Sequence, residues 1–212
     1  MWRLHERVLG TETFACVGNE LRLSLPATDG ASILVKYLVK IPVGDFDISI
    51  DITECISTAE SRGFFYISDR NIHNTIRLNV NNLGGGNVDV NLARKLNNDY
   101  TSISTVSDIG VIASIKLRLK LVGTTFYGYY DKGEGWILVN EYTSATLADG
   151  RLDRIMLSAI EDGDAAVTMD FDNLEFNGNL CPLGDQWTTT TTSSTTCSTC
   201  STLSTFSTEP PP

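Results

Sequence analysis

The sequence predicts an all-β domain, a two-sheet antiparallel β-sandwich over residues 1-178. A connector over 179-187 and a Thr/Ser/Pro low-complexity tail over 188-212 follow it. Three observations predict the fold. Apolar and polar residues alternate with period two in segment after segment, Gly, Asp and Pro turn signals separate those segments, and no window keeps an i, i+3, i+4, i+7 apolar stripe long enough for a substantial helix.

The cleanest alternation is Asp45-Phe46-Asp47-Ile48-Ser49-Ile50-Asp51-Ile52. Side chains along a strand point to opposite faces in turn, so Phe46, Ile48, Ile50 and Ile52 share a buried face. Ile115-Lys116-Leu117-Arg118-Leu119-Lys120-Leu121 repeats the pattern with three basic residues on the wet face, and Val167, Met169 and Phe171 repeat it near the end. Ile76 to Val80 is a further such segment, with more strands expected at Glu20 to Leu25, Ile33 to Lys40, Phe64 to Ser68, Thr124 to Asp131, Trp136 to Val139 and Arg154 to Ile160. Between them stand Gly30, Pro42-Val43-Gly44, Gly84-Gly85-Gly86, Lys132-Gly133-Glu134-Gly135 and Asp162-Gly163-Asp164. Polar-out, apolar-in alternation on so many strands implies antiparallel sheets with one face in water.

Charge narrows the partners. The net charge is -10, and all 16 Lys and Arg residues fall in the first 154 positions without a basic run. This argues against nucleic acid and anionic membrane as partners. No apolar stretch approaches the roughly 20 residues of a membrane-spanning helix. The N-terminus shows no signal-peptide layout, and no Asn-x-Ser/Thr sequon occurs.

Five cysteines, Cys16, Cys55, Cys181, Cys197 and Cys200, are an odd count. Cys16 precedes the first clear strand and Cys181 follows the last, so a Cys16–Cys181 bridge is one arrangement and buried free thiols another. Cys197-Ser-Thr-Cys200 lacks the second ligand pair that a zinc knuckle needs.

The order of the motifs carries a family resemblance. Gly44-Asp45-Phe46-Asp47-Ile48, Gly63-Phe64-Phe65-Tyr66-Ile67, Lys116-Leu117-Arg118-Leu119, then Tyr129-Tyr130-Asp131-Lys132-Gly133 ahead of Gly135-Trp136, and Asp170-Phe171-Asp172-Asn173-Leu174-Glu175-Phe176 resemble the concanavalin A-like lectin/glucanase superfamily, in particular its non-catalytic jelly-roll modules. The resemblance implies a jelly roll of about a dozen strands. It implies sugar binding on the concave face or its rim loops in members that bind sugar.

Three kinds of site are candidates. Glucanases of that superfamily carry two Glu flanking an Asp along one strand face, whereas here the face offers Asp45, Asp47, Ser49 and Asp51. Without the Glu pair, cross-strand pairing of these acids with Lys116, Arg118 and Lys120 is the simpler use, and the chain is expected not to be an enzyme. Aromatic side chains offer flat faces for sugar rings, and Tyr66, Tyr127, Tyr129 and Trp136 are the carbohydrate-binding candidates. Phe126 and Trp136 are at the same time expected to fill the interior. Asp162, Asp164, Asp170 and Asp172 offer the hard oxygen ligands of a structural calcium ion, with no other cofactor expected.

The tail is the least ordinary segment. From Thr188 to Thr208, 17 of 21 residues are Thr or Ser, and Cys197, Cys200, Leu203 and Phe206 recur every third position. In a polyproline II helix these four would line one edge, fit to join other copies or a larger assembly, and a passive spacer is the plain alternative. The sequence thus reads as a lectin-like surface-recognition module for a glycan or cell-surface ligand, displayed on a virion or extracellular appendage. A purely structural virion or filament subunit and a degenerate glycoside hydrolase are the other readings.

Overall fold

Alternating side chains need a dry face on one side of each strand, and two stacked sheets supply it for all of them at once. The computed structural model describes residues 2–7, 12–17, 20–28, 30–41, 44–53, 60–83, 87–110, 112–149, 152–163, 165–177 and 181–182. In chain order its strands are β1 (Trp2–Arg7), β2 (Thr13–Val17), β3 (Glu20–Leu25), β4 (Ser32–Lys40), β5 (Phe46–Thr53), β6 (Ser61–Ser68), β7 (Thr75–Asn82) and β8 (Val88–Leu96). They continue as β9 (Asp99–Val106), β10 (Ser114–Val122), β11 (Thr125–Asp131), β12 (Ile137–Thr143), β13 (Arg154–Glu161), β14 (Val167–Asn177) and β15 (Cys181–Pro182). One short helix, α1 (Ala145–Ala148), follows β12 and is capped by the Ser144 hydroxyl.

An eight-stranded sheet runs β1-β4-β13-β6-β7-β8-β9, with β15 also on β4, and a seven-stranded sheet runs β12-β11-β10-β5-β14-β3-β2. All pairings are antiparallel, giving the jelly-roll sandwich. The core lies between the sheets. Phe46, Ile48, Ile50, Ile115, Leu117, Leu119, Val167, Met169 and Phe171, the residues picked out by alternation, are all buried in it. Phe65, Ile67, Ile76, Leu78, Val90 and Leu92 face them from the other sheet. Phe126 is also buried there, tilted against Phe46 with ring centroids 6.2 Å apart.

The strands β1, β2, β8, β9 and β15 fall outside the segments that alternation picks out. β8 and β9 form a hairpin whose turn is Asn97-Asn98, between the paired residues Leu96 and Asp99. Both turn residues have positive φ, 51° and 71°, as a two-residue type I′ turn demands. The closing strand β14 carries a bulge between Asp172 and Glu175, with Asn173 at φ 47°. Pairing continues into Cys181–Pro182, within the stretch expected to be connector. Cys16 is disulfide-bonded. The side chain of Cys181 and the tail edge of Cys197, Cys200, Leu203 and Phe206 lie outside the described residues.

Candidate functional site

The sugar-binding candidates divide between two opposite surfaces. Tyr127 and Tyr129 point outward from the seven-stranded sheet, while Tyr66 points outward from the eight-stranded one.

On the seven-stranded face the cross-strand register lays side chains in rows. Tyr129, Arg118, Ser49 and Glu175 form one row, and Tyr127, Lys120 and Asp47 the next. The rings of Tyr127 and Tyr129 stack with centroids 6.4 Å apart. The Arg118 guanidinium lies 5.8 Å from the Tyr129 centroid and 5.4 Å from that of Trp136. Trp136 does not fill the interior: it is 40% exposed. It precedes β12 in a turn where Gly133 and Gly135 both have φ 101° and the Asp131 carboxylate accepts both of their N–H groups, so strand alternation does not reach it.

The acids on this face pair as charge logic expects. Asp47 holds Arg118 through two hydrogen bonds, one of 2.6 Å from Nε, and Lys116 lies 3.4 Å from Asp51. Asp45 accepts the Gly123 N–H. The bulged β14 adds Glu175, whose carboxylate accepts a long 3.4 Å hydrogen bond from Ser49. Sequence alternation could not place this Glu on the β5 face, because the pairing spans 126 positions and crosses a bulge.

The calcium candidates are spread apart. Asp162 follows β13 of the eight-stranded sheet and makes a bidentate pair with Arg62, Asp172 sits on β14 of the seven-stranded sheet and accepts the Asn173 N–H, and Asp164 is outside the described residues. Asp170 is buried and bonded bidentately to Arg22. Among the described residues no three His, Cys, Asp or Glu side chains are grouped to hold a metal ion.

The outer face of the eight-stranded sheet is built differently. Several of its outward side chains are enclosed: Phe64 is 2% exposed, Asn79 4% and Asn91 5%. Outward residues on an open, flat sheet would meet water, so this face is recessed. Register sets Lys36, Met156, Tyr66, Arg77 and Ala93 in one row and Thr75, Lys95 and Tyr100 in the next. A cavity of about 170 Å³ opens here, lined by Leu34, Tyr66, Ile72, Arg77, Lys95 and Tyr100 among others.

Arg77 is its centre. The guanidinium carbon lies 4.5 Å from the Tyr100 ring centroid, 4.9 Å from Phe64 and 5.5 Å from Tyr66. Its Nη1 reaches the Tyr66 hydroxyl only at 3.4 Å, and its buried Nε has no partner. Burial pushes the Tyr66 phenol above its ordinary value while the neighbouring Arg77 charge pulls it back, so the hydroxyl stays protonated at neutral pH. One wall is Ile72, held at φ 60°, a conformation β-branched residues rarely adopt. The Asp69 carboxylate fixes that loop by accepting the N–H groups of Asn71, His73 and Asn74.

Sequence reading named only Tyr66 of this cavity. It found no basic cluster, yet the fold collects Lys36, Arg77 and Lys95 from three strands on one face. Lys95 and Tyr100 belong to the hairpin that alternation missed, and the Asn97-Asn98 pair was the signal for it.

No protein-family model and no curated protein matches the chain. Solved structures do. A carbohydrate-binding module, CBM66, from Bacillus subtilis superposes with TM-score 0.57 at 18% identity over 82% of this chain and 94% of the module. The exoplasmic/lumenal domain of VIP36 in its Ca²⁺/Man3GlcNAc-bound form gives TM-score 0.57 at 10% identity, covering 88% of this chain and 86% of that domain. The CBM2 module of the evolved Dit of Lactobacillus casei BL23 phage J-1 gives 0.56 at 10% identity, covering 82% and 81%. The fold is therefore the concanavalin A-like sandwich.

Proposed function

We propose that this domain is a non-catalytic carbohydrate-binding module whose principal site is the recessed face of the eight-stranded sheet. The observation that carries the reading is the cavity there, flanked by the rings of Tyr66 and Tyr100. Sugar rings pack their C–H faces on aromatic rings while polar neighbours take their hydroxyls, and Arg77, Lys95 and Thr75 stand around the same space. The fold shared with a carbohydrate-binding module and with a glycan-bound lectin domain supports the reading. The Tyr127, Tyr129 and Trp136 strip, on the opposite surface, is a secondary contact zone in this proposal.

Display on a phage particle or extracellular appendage is the setting we propose, supported by the likeness to a module of a phage Dit protein. No described helix is long and apolar enough to cross a membrane. The test is a glycan array with the intact chain, followed by titration of its hits against Tyr66→Ala, Tyr100→Ala and the Tyr127→Ala/Tyr129→Ala pair. Saturable binding lost with the first two supports the assignment. Binding lost only with the pair moves the site to the other sheet, and no binding to any glycan overturns the function.

A further inference from the structure

We infer that the cavity on the eight-stranded sheet is selective for an acidic sugar residue, one carrying an oxyanion on its ring. This deepens the carbohydrate-binding reading and rests on it.

The chain carries net charge -10, yet this one cavity is lined by two cations, Arg77 and Lys95, with Lys36 beside Met156 at its edge. Two other cations of the face are paired among the described residues: Arg62 with Asp162, and Arg154 with Asp153 at 3.4 Å. Arg77 and Lys95 make no ion pair among the described residues. A guanidinium offers five N–H donors in a planar fork, and among the described residues the one hydrogen bond that Arg77 donates is the 3.4 Å contact to the Tyr66 hydroxyl. Aromatic rings cover the charge without accepting those protons in-plane. Arg77 is half-buried with its Nε enclosed and unpartnered, and a cation so placed gains when an anion meets its edge.

The lining also limits the ligand's size. About 170 Å³ is small against the roughly 300–1,000 Å³ of pockets for drug-sized molecules, which points to one sugar residue of a longer chain. Its oxyanion would take the Arg77 edge with Lys95 adding charge, and its ring would lie between Tyr66 and Tyr100 against the Ile72 wall. A planar carboxylate and a sulfate ester share this chemistry, and both are probed.

The experiment is calorimetric titration of the intact chain with three oligosaccharides of equal length: an oligogalacturonide, a sulfated galactan fragment and a neutral galactan fragment. Each is run at low and high salt, and the acidic pair is repeated with Arg77→Lys, Arg77→Met and Lys95→Met. Selectivity of tenfold or more for either acidic ligand over the neutral one is expected. It should shrink with salt, fall further for Arg77→Met than for Arg77→Lys, and fall in part for Lys95→Met, whose site on the cavity rim leaves the core untouched. The carboxylated or the sulfated arm then identifies the oxyanion. Equal binding of all three ligands overturns the inference and leaves the carbohydrate-binding reading standing. Acidic selectivity that survives both Arg77→Met and Lys95→Met also overturns it. Binding of none of them, together with a blank glycan array, sinks both.

Discussion

The guanidinium carbon of Arg77 on β7 lies over the ring of Tyr100 on β9, 4.5 Å from its centroid, across a strand that separates them. The intervening position opposite Arg77 is Ala93, which is too small to block the approach. A Tyr that is 49% exposed contributes little packing, so its main role is to close one side of the cavity. Tyr100→Ala is expected to change stability by less than about 1 kcal/mol, the scale of an exposed cation–π contact. Glycan affinity should fall roughly tenfold by titration, a loss of about 1.4 kcal/mol. An unchanged affinity would show that the ring is not part of the site.

Ile72 makes a second, opposed pair of effects. At φ 60° its backbone is strained, by an amount of order 1–3 kcal/mol for such conformations. Ile72→Gly removes that strain but also removes a wall of the cavity. The variant should melt no lower than the parent, and by our expectation slightly higher, while binding glycan more weakly. Thermal melts and titration read the two quantities separately, and a coordinated loss of both would mean that Ile72 serves only the fold.

Legibility in the sequence followed how local each signal is. Phe46 to Ile52 and Ile115 to Leu121 announce their buried faces because alternation is written within eight residues, and these faces pair as neighbours on β5 and β10. The acid–base pairs on their outer side were foreseeable for the same reason, as Lys116 opposite Asp51 illustrates. Glu175 and the cation set of Lys36, Arg77 and Lys95 were not, because register between distant strands brings them together. Trp136 misled for a third reason: two glycines at positive φ turn the chain before the strand begins.

The inter-sheet space gives a packing prediction. A Cβ at Gly128 would stand 2.9 Å from Leu92 Cδ1 and 3.0 Å from Leu78 Cδ2, both on the opposite sheet. A Cβ at Gly63 would stand 2.3 Å from Met169 Sδ, the far part of an unbranched, adaptable side chain. Gly128→Ala forces two branched core residues apart and should cost about 1–3 kcal/mol. Gly63→Ala requires a closer contact to be relieved, yet only by re-rotating one thioether. Denaturant melts are expected to rank Gly128→Ala as the less stable variant, and the reverse order would mean that Met169 is as tightly fixed as the leucines.

The seven-stranded sheet contains a pH-dependent strain at the other end. Glu20 begins β3 near the carboxylates of Asp170 and Asp172 on β14. Burial, then repulsion from Asp170 and Asp172, pushes the Glu20 carboxyl above its ordinary value, while Arg22 opposes this only weakly and is itself engaged by Asp170. A raised carboxyl binds its proton more tightly in the folded chain than in the unfolded one. Its contribution to stability is therefore fullest below the ordinary Glu value of 4.5 and is lost as pH rises through the raised folded value. Above that window the ionised Glu20 is a net liability, which Glu20→Gln removes. The variant should melt slightly higher than the parent at pH 7 to 8, and the advantage should vanish below pH 4.5, where both side chains are neutral. Scanning calorimetry across that range checks the sign: a Glu20→Gln variant less stable at pH 7 than the parent would mean that attraction to Arg22 outweighs burial and the two aspartates.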